Sequence, residues 1–183
     1  HVVQNGEAHA RIAKMVGVNE RRFAYDEVDL GYLGVRAATS VMEHLNWGAR
    51  SIDALVFLTQ TSPRRMPSIS CELHATLGLR SSIPAFDMNM ACSGYVYGLW
   101  VAASLRVTRC LLVVGDTISR FLDPNDSGTY PIFGDAVSAT ALEMTGENVG
   151  IDFVGGTDGT GAESLRVEKR SAQEPESLQM DGQ

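Results

Sequence analysis

From Asp29 onward the apolar residues Tyr32, Leu33, Val35, Ala37, Ala38, Val41, Met42 and Leu45 recur near helical spacing, and Trp47-Gly48 ends the run. That periodicity predicts one amphipathic helix. Ala54 to Thr59 is short and dense in Leu, Val and Phe, which suits a buried parallel strand better than a half-exposed one. Pro67-Ser68 opens a second helix and Gly78 closes it. Pro84 to Met90 reads as a second strand, Tyr95 to Leu105 as a third helix and Cys110 to Val114 as a third strand. Strand, helix, strand, helix, strand at this spacing predicts right-handed crossovers and a parallel sheet covered on both faces, an α/β class.

After Gly115 the texture changes. A loop rich in Asp, Pro, Asn and Gly runs from Asp123 to Tyr130, followed by alternating apolar positions from Ala136 to Leu142 and again near Ile151 to Val154. These predict antiparallel strands added to the sheet, making it mixed. From Gly155 the chain is rich in Gly, Ser and Glu and holds few core candidates, so it reads as loop or as the start of something longer. The organisation expected is one lobe over residues 1–154, incomplete at its start, with loop and the start of a further lobe over 155–183.

Composition narrows the function classes. With 44% hydrophobic and 20% charged residues in 183, the chain has the make-up of a soluble globular domain. It contains no run of about 18 apolar residues, and its first residues lack a signal-peptide pattern, so the expectation is a cytoplasmic protein without membrane partners. The net charge of −7 and the scattered basic residues, with only Arg21-Arg22 and Arg64-Arg65 paired, give no reason to expect nucleic acid. Cys71, Cys92 and Cys110 are neither an even disulfide set nor a close metal-ligand pair, so reduced thiols and no metal are expected.

Cys92 falls where the second strand turns into the third helix. Such an elbow presents sulfur to the positive end of the helix dipole, which favours the nucleophilic thiolate, and its backbone N–H groups can hold an oxyanion. Ala91, Ser93 and Gly94 leave room for a carbonyl to approach. Local pattern alone leaves a second reading open, a small core residue at a tight turn.

The stretch Ala91-Cys92-Ser93-Gly94-Tyr95-Val96-Tyr97-Gly98-Leu99 resembles the nucleophile motif of the β-ketoacyl-acyl-carrier-protein synthase III family, within the thiolase superfamily. Other segments resemble that family in order: Gly17 to Ala24, Thr61 to Ser68, Asp123 to Asp126 and Phe133 to Ala136. The resemblance runs from about Ala13 to Gln183. It implies a thiolase-like fold, of which this chain is one lobe of a two-lobed αβαβα layered architecture, with the nucleophile helix buried. It also implies that Cys92 takes an acyl group from acyl-CoA and that the acyl-enzyme condenses with malonyl carried on acyl carrier protein, with no cofactor. A homodimer is implied, through the sheet edge near Pro84 to Met90, with Met66 crossing to close the partner's acyl pocket. Met88, Met90, Leu99 and Phe133 become substrate-binding candidates, although apolar residues flanking a buried strand also serve as ordinary core.

The family's enolate-stabilising His and Asn come from a second half that is not in these 183 residues, so the chain alone is expected not to condense. A non-catalytic half-enzyme pairing with a complete synthase is the alternative. His1, His9, His44 and His74 are expected to be structural or solvated. Asp87 and Asp135 are expected to cap backbone N–H groups, and Cys71 and Cys110 to be buried and inert. Three departures from the family stand out. Met15 and Ser127 occupy places where it commonly has CoA-contacting arginines, which leaves room for a carrier-bound donor. Ala136-Val137-Ser138 replaces a Gly-rich turn, predicting a different local backbone. In addition, the link Arg106-Val107-Thr108 lacks a C-cap glycine.

Overall fold

The computed structural model describes residues 1–4, 6, 10–145, 151–169 and 173–181. They fall into two compact units, one of residues 26–116 with 136–154 and the other of residues 1–25, 117–135 and 155–183.

The first unit holds a four-stranded sheet. Its strands are β3 (Ala54–Leu58), β4 (Ala85–Met88), β5 (Arg109–Asp116) and β6 (Ala136–Glu143), in the order β4-β3-β5-β6. The first three are parallel, and β6 runs antiparallel to β5, giving the mixed sheet. Helices α2 (Leu30–His44) and α3 (Ile69–Thr76) belong to one face and α4 (Gly94–Ser104) to the other. Every residue of β3 is buried, so both of its pleat faces are core. Leu55, Phe57, Leu111 and Val113 join the cluster beneath α2 and α3, while Ala54, Val56, Cys110 and Leu112 join the one beneath α4. This is the two-residue strand period read directly as packing.

Local chemistry sets the helix limits. Asp29 caps α2 by accepting from Tyr32 N at 2.7 Å, and the helix unwinds at Asn46 in the left-handed region (φ 54°), ahead of the expected Gly48. Gly78 (φ 64°) closes α3, where the amides of Gly78 and Leu79 donate back to Ala75 O and His74 O at 3.1 Å each. α4 ends without a glycine because Arg106 itself takes the left-handed conformation (φ 54°). Val137 is not left-handed either, and Ala136–Glu143 is a regular strand paired with β5 over its whole length.

The second unit holds β1 (Val2–Gln4) paired antiparallel with β2 (Glu20–Arg22), helix α1 (Ala10–Val16), and a hairpin of β7 (Leu165–Lys169) and β8 (Glu176–Met180). Three expectations are corrected. Ile151 to Val154 is not a strand, since Val154 is fully exposed and Phe153 stacks on Trp100 at 4.7 Å instead of joining a ladder. The stretch after Gly155 is not simply loop: β7 and β8 pair over five positions and Leu178 is buried. Cys71 is exposed, because the buried residues Ile69, Ser70 and Leu73 fix the inward side of α3 and Cys71 falls on the other. Residues 146–150, 182 and 183, together with His9, lie outside the described residues.

Candidate active site

Pro84 leads into β4, and the short turn from Asn89 to Ser93 joins β4 to α4. Gly94 N donates to Ala91 O at 2.7 Å, tightening this turn around Cys92. Cys92 is exposed, with Ala91 and Ser93 exposed on either side. It stands two residues before the start of α4, at the end where a helix favours negative charge. Ser93, the N-cap residue, makes no side-chain cap bond, so the first N–H groups of α4 lack the partner that a capping serine gives.

The helix lies close to the sheet because two glycines let it. A Cβ on Gly94 would come within 2.5 Å of Leu58 Cδ2, and one on Gly98 within 2.9 Å of Leu112 Cδ1. On the sheet side of α4 Gly94, Gly98, Ala102 and Ala103 are buried, whereas on its other side Tyr95, Val96 and Trp100 are exposed, with Phe153 stacked on Trp100. Tyr95 Oη lies 3.2 Å from Thr140 Oγ1 on β6.

Of the substrate-binding candidates, Met88 and Leu99 pack together with Phe86 in the cluster beneath α4, and the Met90 Cβ lies 3.1 Å from where a Cβ on Gly94 would stand. Met88 ends β4 and Met90 lies in the turn that carries Cys92, while Leu99 lies within α4. Met66 is 81% exposed in the loop between β3 and α3. Phe133 belongs to the other unit, where its carbonyl accepts from Arg21 Nη1 at 3.2 Å.

The carboxylates accept backbone N–H groups, as the sequence suggested. Asp87 accepts from Ile69 N at 2.8 Å and Ser70 N at 2.9 Å. Asp135 accepts from Ala24 N at 2.8 Å and Ser119 N at 2.9 Å. Among the histidines, His74 Nε2 is bonded to Arg80 O at 2.8 Å, and His44 is exposed at the end of α2. Burial pushes the Cys110 thiol from 9.0 up to about 12, so it differs sharply in setting from exposed Cys92. No cluster of His, Cys, Asp or Glu suited to a metal occurs among the described residues, and no helix among them is long and apolar enough to cross a membrane.

Two residues escaped sequence reading. Asp116, at the end of β5, accepts four hydrogen bonds on Oδ1 alone, from Thr59 Oγ1, Gln60 N, Thr61 N and Thr61 Oγ1. Arg21 is buried in the second unit with its guanidinium carbon 4.9 Å from the Phe23 ring centre and 4.7 Å from that of Tyr130. Asp116 lies in no motif, and Arg21, though inside the Gly17 to Ala24 segment, shows nothing there of its burial; each depends on strand or loop pairing that brings distant segments together.

A model of the family described as 3-oxoacyl-[acyl-carrier-protein (ACP)] synthase III matches residues 86–159, which include Cys92. A Deinococcus deserti protein named beta-ketoacyl-[acyl-carrier-protein] synthase III is 34% identical over 186 residues, covering 95% of this chain and 53% of that protein. One of the same name from Pectobacterium atrosepticum is 38% identical over 144 residues, covering 76% of this chain and 45% of that protein. The chain therefore spans about half the length of the curated relatives it matches. The crystal structure of a 3-oxoacyl-(acyl-carrier protein) synthase from Burkholderia xenovorans superposes with a TM-score of 0.87 at 35% identity, over 98% of this chain and 59% of that one.

Proposed function

Because the chain belongs to the 3-oxoacyl-[acyl-carrier-protein] synthase III family, with its thiolase-like fold, we propose that it carries the acyl-accepting half of such an enzyme, with Cys92 as nucleophile. The observation that carries this reading is the exposed Cys92 at the β4–α4 turn, at a helix N-terminus whose cap side chain makes no bond.

In the first step the Cys92 thiolate attacks the thioester carbonyl of an acyl-CoA or acyl carrier. The tetrahedral oxyanion is held by N–H groups at the start of α4, the donor's carbon–sulfur bond breaks, and the departing thiolate takes a proton from solvent. Cys92 is left as an acyl thioester. In the second step malonyl on acyl carrier protein loses carbon dioxide. The resulting carbanion attacks the acyl-enzyme carbonyl, forming the carbon–carbon bond and returning Cys92 as thiolate. Condensation also calls on the enolate-stabilising His and Asn that the family resemblance implies, and it is proposed for the whole enzyme. Met88, Met90 and Leu99 line the acyl site beside α4, and Phe133 is kept as a substrate-binding candidate on the strength of the family resemblance alone. The strand β4 at the sheet edge supports pairing with a second copy, and the exposed Met66 supports insertion into that copy's acyl pocket.

The test is intact-mass and peptide analysis after incubation with short acyl-CoAs. An acyl adduct on Cys92 that is absent in Cys92→Ala is expected, with Cys110 unmodified. No adduct from any acyl-CoA or acyl carrier would sink the reading and favour a non-catalytic subunit.

A further inference from the structure

The segment from Gln60 to Ser68 leaves β3, enters α3 and carries Met66 at its exposed tip. Carboxylates from both neighbouring strands hold its two ends. At the start, Asp116 Oδ1 of β5 accepts from Thr59 Oγ1 at 2.8 Å, Gln60 N at 2.7 Å, and Thr61 N and Oγ1 at 3.0 Å each. Thr59 and Thr61 are both buried there, and Thr59 N continues the ladder to Met88 O at 3.0 Å. At the far end, Asp87 of β4 spends one oxygen on Ile69 N and the other on Ser70 N, supplying the cap that the Ser68 side chain does not. Since β3 lies between β4 and β5, the two carboxylates reach its outgoing loop from opposite sides. Within the loop, Ser62 Oγ donates to Arg64 O at 2.8 Å and Arg64 is paired with Glu72 of α3.

Charged acceptors satisfying backbone N–H groups make stronger bonds than neutral ones. Two of them at the roots of a nine-residue arm fix its direction while leaving its tip bare. We infer that Asp87 and Asp116 are positioning residues: neither touches substrate, and together they hold the 60–68 arm in the one shape that sets how deeply Met66 enters a second copy's acyl pocket. This rests on the dimer reading above for its consequence, though not for the rooting itself. Asp53, at the opposite end of the sheet, is the control, because it accepts from Arg109 N at 3.0 Å and pairs with Arg80 without touching the arm.

The experiment compares the unsubstituted chain with Asp116→Asn, Asp116→Ala, Asp87→Asn and Asp53→Asn. It reads amide hydrogen exchange by peptide and the ratio of Cys92 acylation by short and long acyl thioesters. Loss of a charged acceptor is expected to quicken exchange across 60–68 by about tenfold or more. Asp116→Ala should exceed Asp116→Asn, whose amide oxygen still accepts, and Asp53→Asn should leave 60–68 unchanged. The chain-length ratio should shift severalfold in the Asp87 and Asp116 variants and stay put in the control. Unchanged exchange in the arm overturns the proposal, as does equal quickening by Asp53→Asn, which would mean general loosening. A loosened arm with an unaltered chain-length ratio also overturns it. If the unsubstituted chain takes no acyl group at all, the acyl-transfer reading fails instead, and the exchange pattern still decides whether the arm is rooted.

Discussion

The two faces of the four-stranded sheet are built to different plans. Beneath α2 and α3 the fully buried side chains are large: Phe57, Leu30, Ile52, Leu55, Ile69, Leu73 and Leu111. Beneath α4 the buried residues are mostly smaller, Ala54, Val56, Ala102, Cys110 and Leu112, and the large side chains Tyr95, Val96 and Trp100 stay exposed on the helix's other side. One face is a finished core. On the other, glycines and alanines bring the helix down onto the sheet, which places the Cys92 turn against the strand ends. A helix apolar on every side is one built for burial all round, yet among the described residues Tyr95, Val96 and Trp100 of α4 stay exposed. The closed face thus carries stability, while the open face leaves the Cys92 turn exposed at its edge, where the acyl transfer is proposed.

That contrast can be broken most directly by truncation. Phe57→Ala on the closed face should cost about 3–5 kcal/mol, because a fully buried aromatic leaves a cavity its neighbours cannot fill. Denaturant unfolding with an unchanged slope measures it. A loss below about 1 kcal/mol would mean that the closed face is not the principal core.

Cys110 tests the dry inner layer of the open face. Its folded thiol is held at about 12 against an ordinary 9.0, so the unfolded chain ionises first as pH rises. The stability contributed by keeping this thiol protonated is intact below pH 9 and falls away between 9 and about 12, at up to about 1.4 kcal/mol per pH unit. Cys110→Ala should remove that alkaline slope at the expense of some stability at neutral pH. An equal slope in the variant would show that water reaches the sulfur. Further out on the same face, Trp100→Ala should cost only about 1 kcal/mol, chiefly its stack on Phe153, since Trp100 is 39% exposed.

Much of the first unit was legible because its signals are local. The run Ala54 to Thr59 suits a buried strand better than a half-exposed one, and Gly78 and Asp29 mark helix limits through their own backbone chemistry. The position of Cys92 at a strand-to-helix turn followed from the same periodicity. What stayed hidden depends on pairing between distant segments. The four bonds to Asp116 need β3 and β5 in register, with Leu58 opposite Val114, which no window of sequence displays. The β7–β8 hairpin was missed because its burial rests largely on Leu178 in a strand whose other residues are polar or exposed. Cys71 was misjudged because an eight-residue helix offers too few apolar positions to fix its inward side.

The smallest expected effect sits where each face's helix ends. α3 closes on Gly78 at φ 64°, and α4 closes on Arg106 at φ 54°. A side chain in the left-handed region costs about 1–2 kcal/mol, which Gly78 avoids and Arg106 bears. Arg106→Gly removes that cost but gives the unfolded chain more freedom, worth about 0.4–1 kcal/mol in the other direction. The net expectation is a gain of about 0.5 kcal/mol, seen as a rise in Tm of about 1–2 °C. Gly78→Ala should move Tm the opposite way by about the same amount, since it adds the strain and contributes only the smaller entropic term in return. A fall in Tm for Arg106→Gly would mean that the Arg106 side chain makes a contribution at the end of α4 that outweighs its backbone strain.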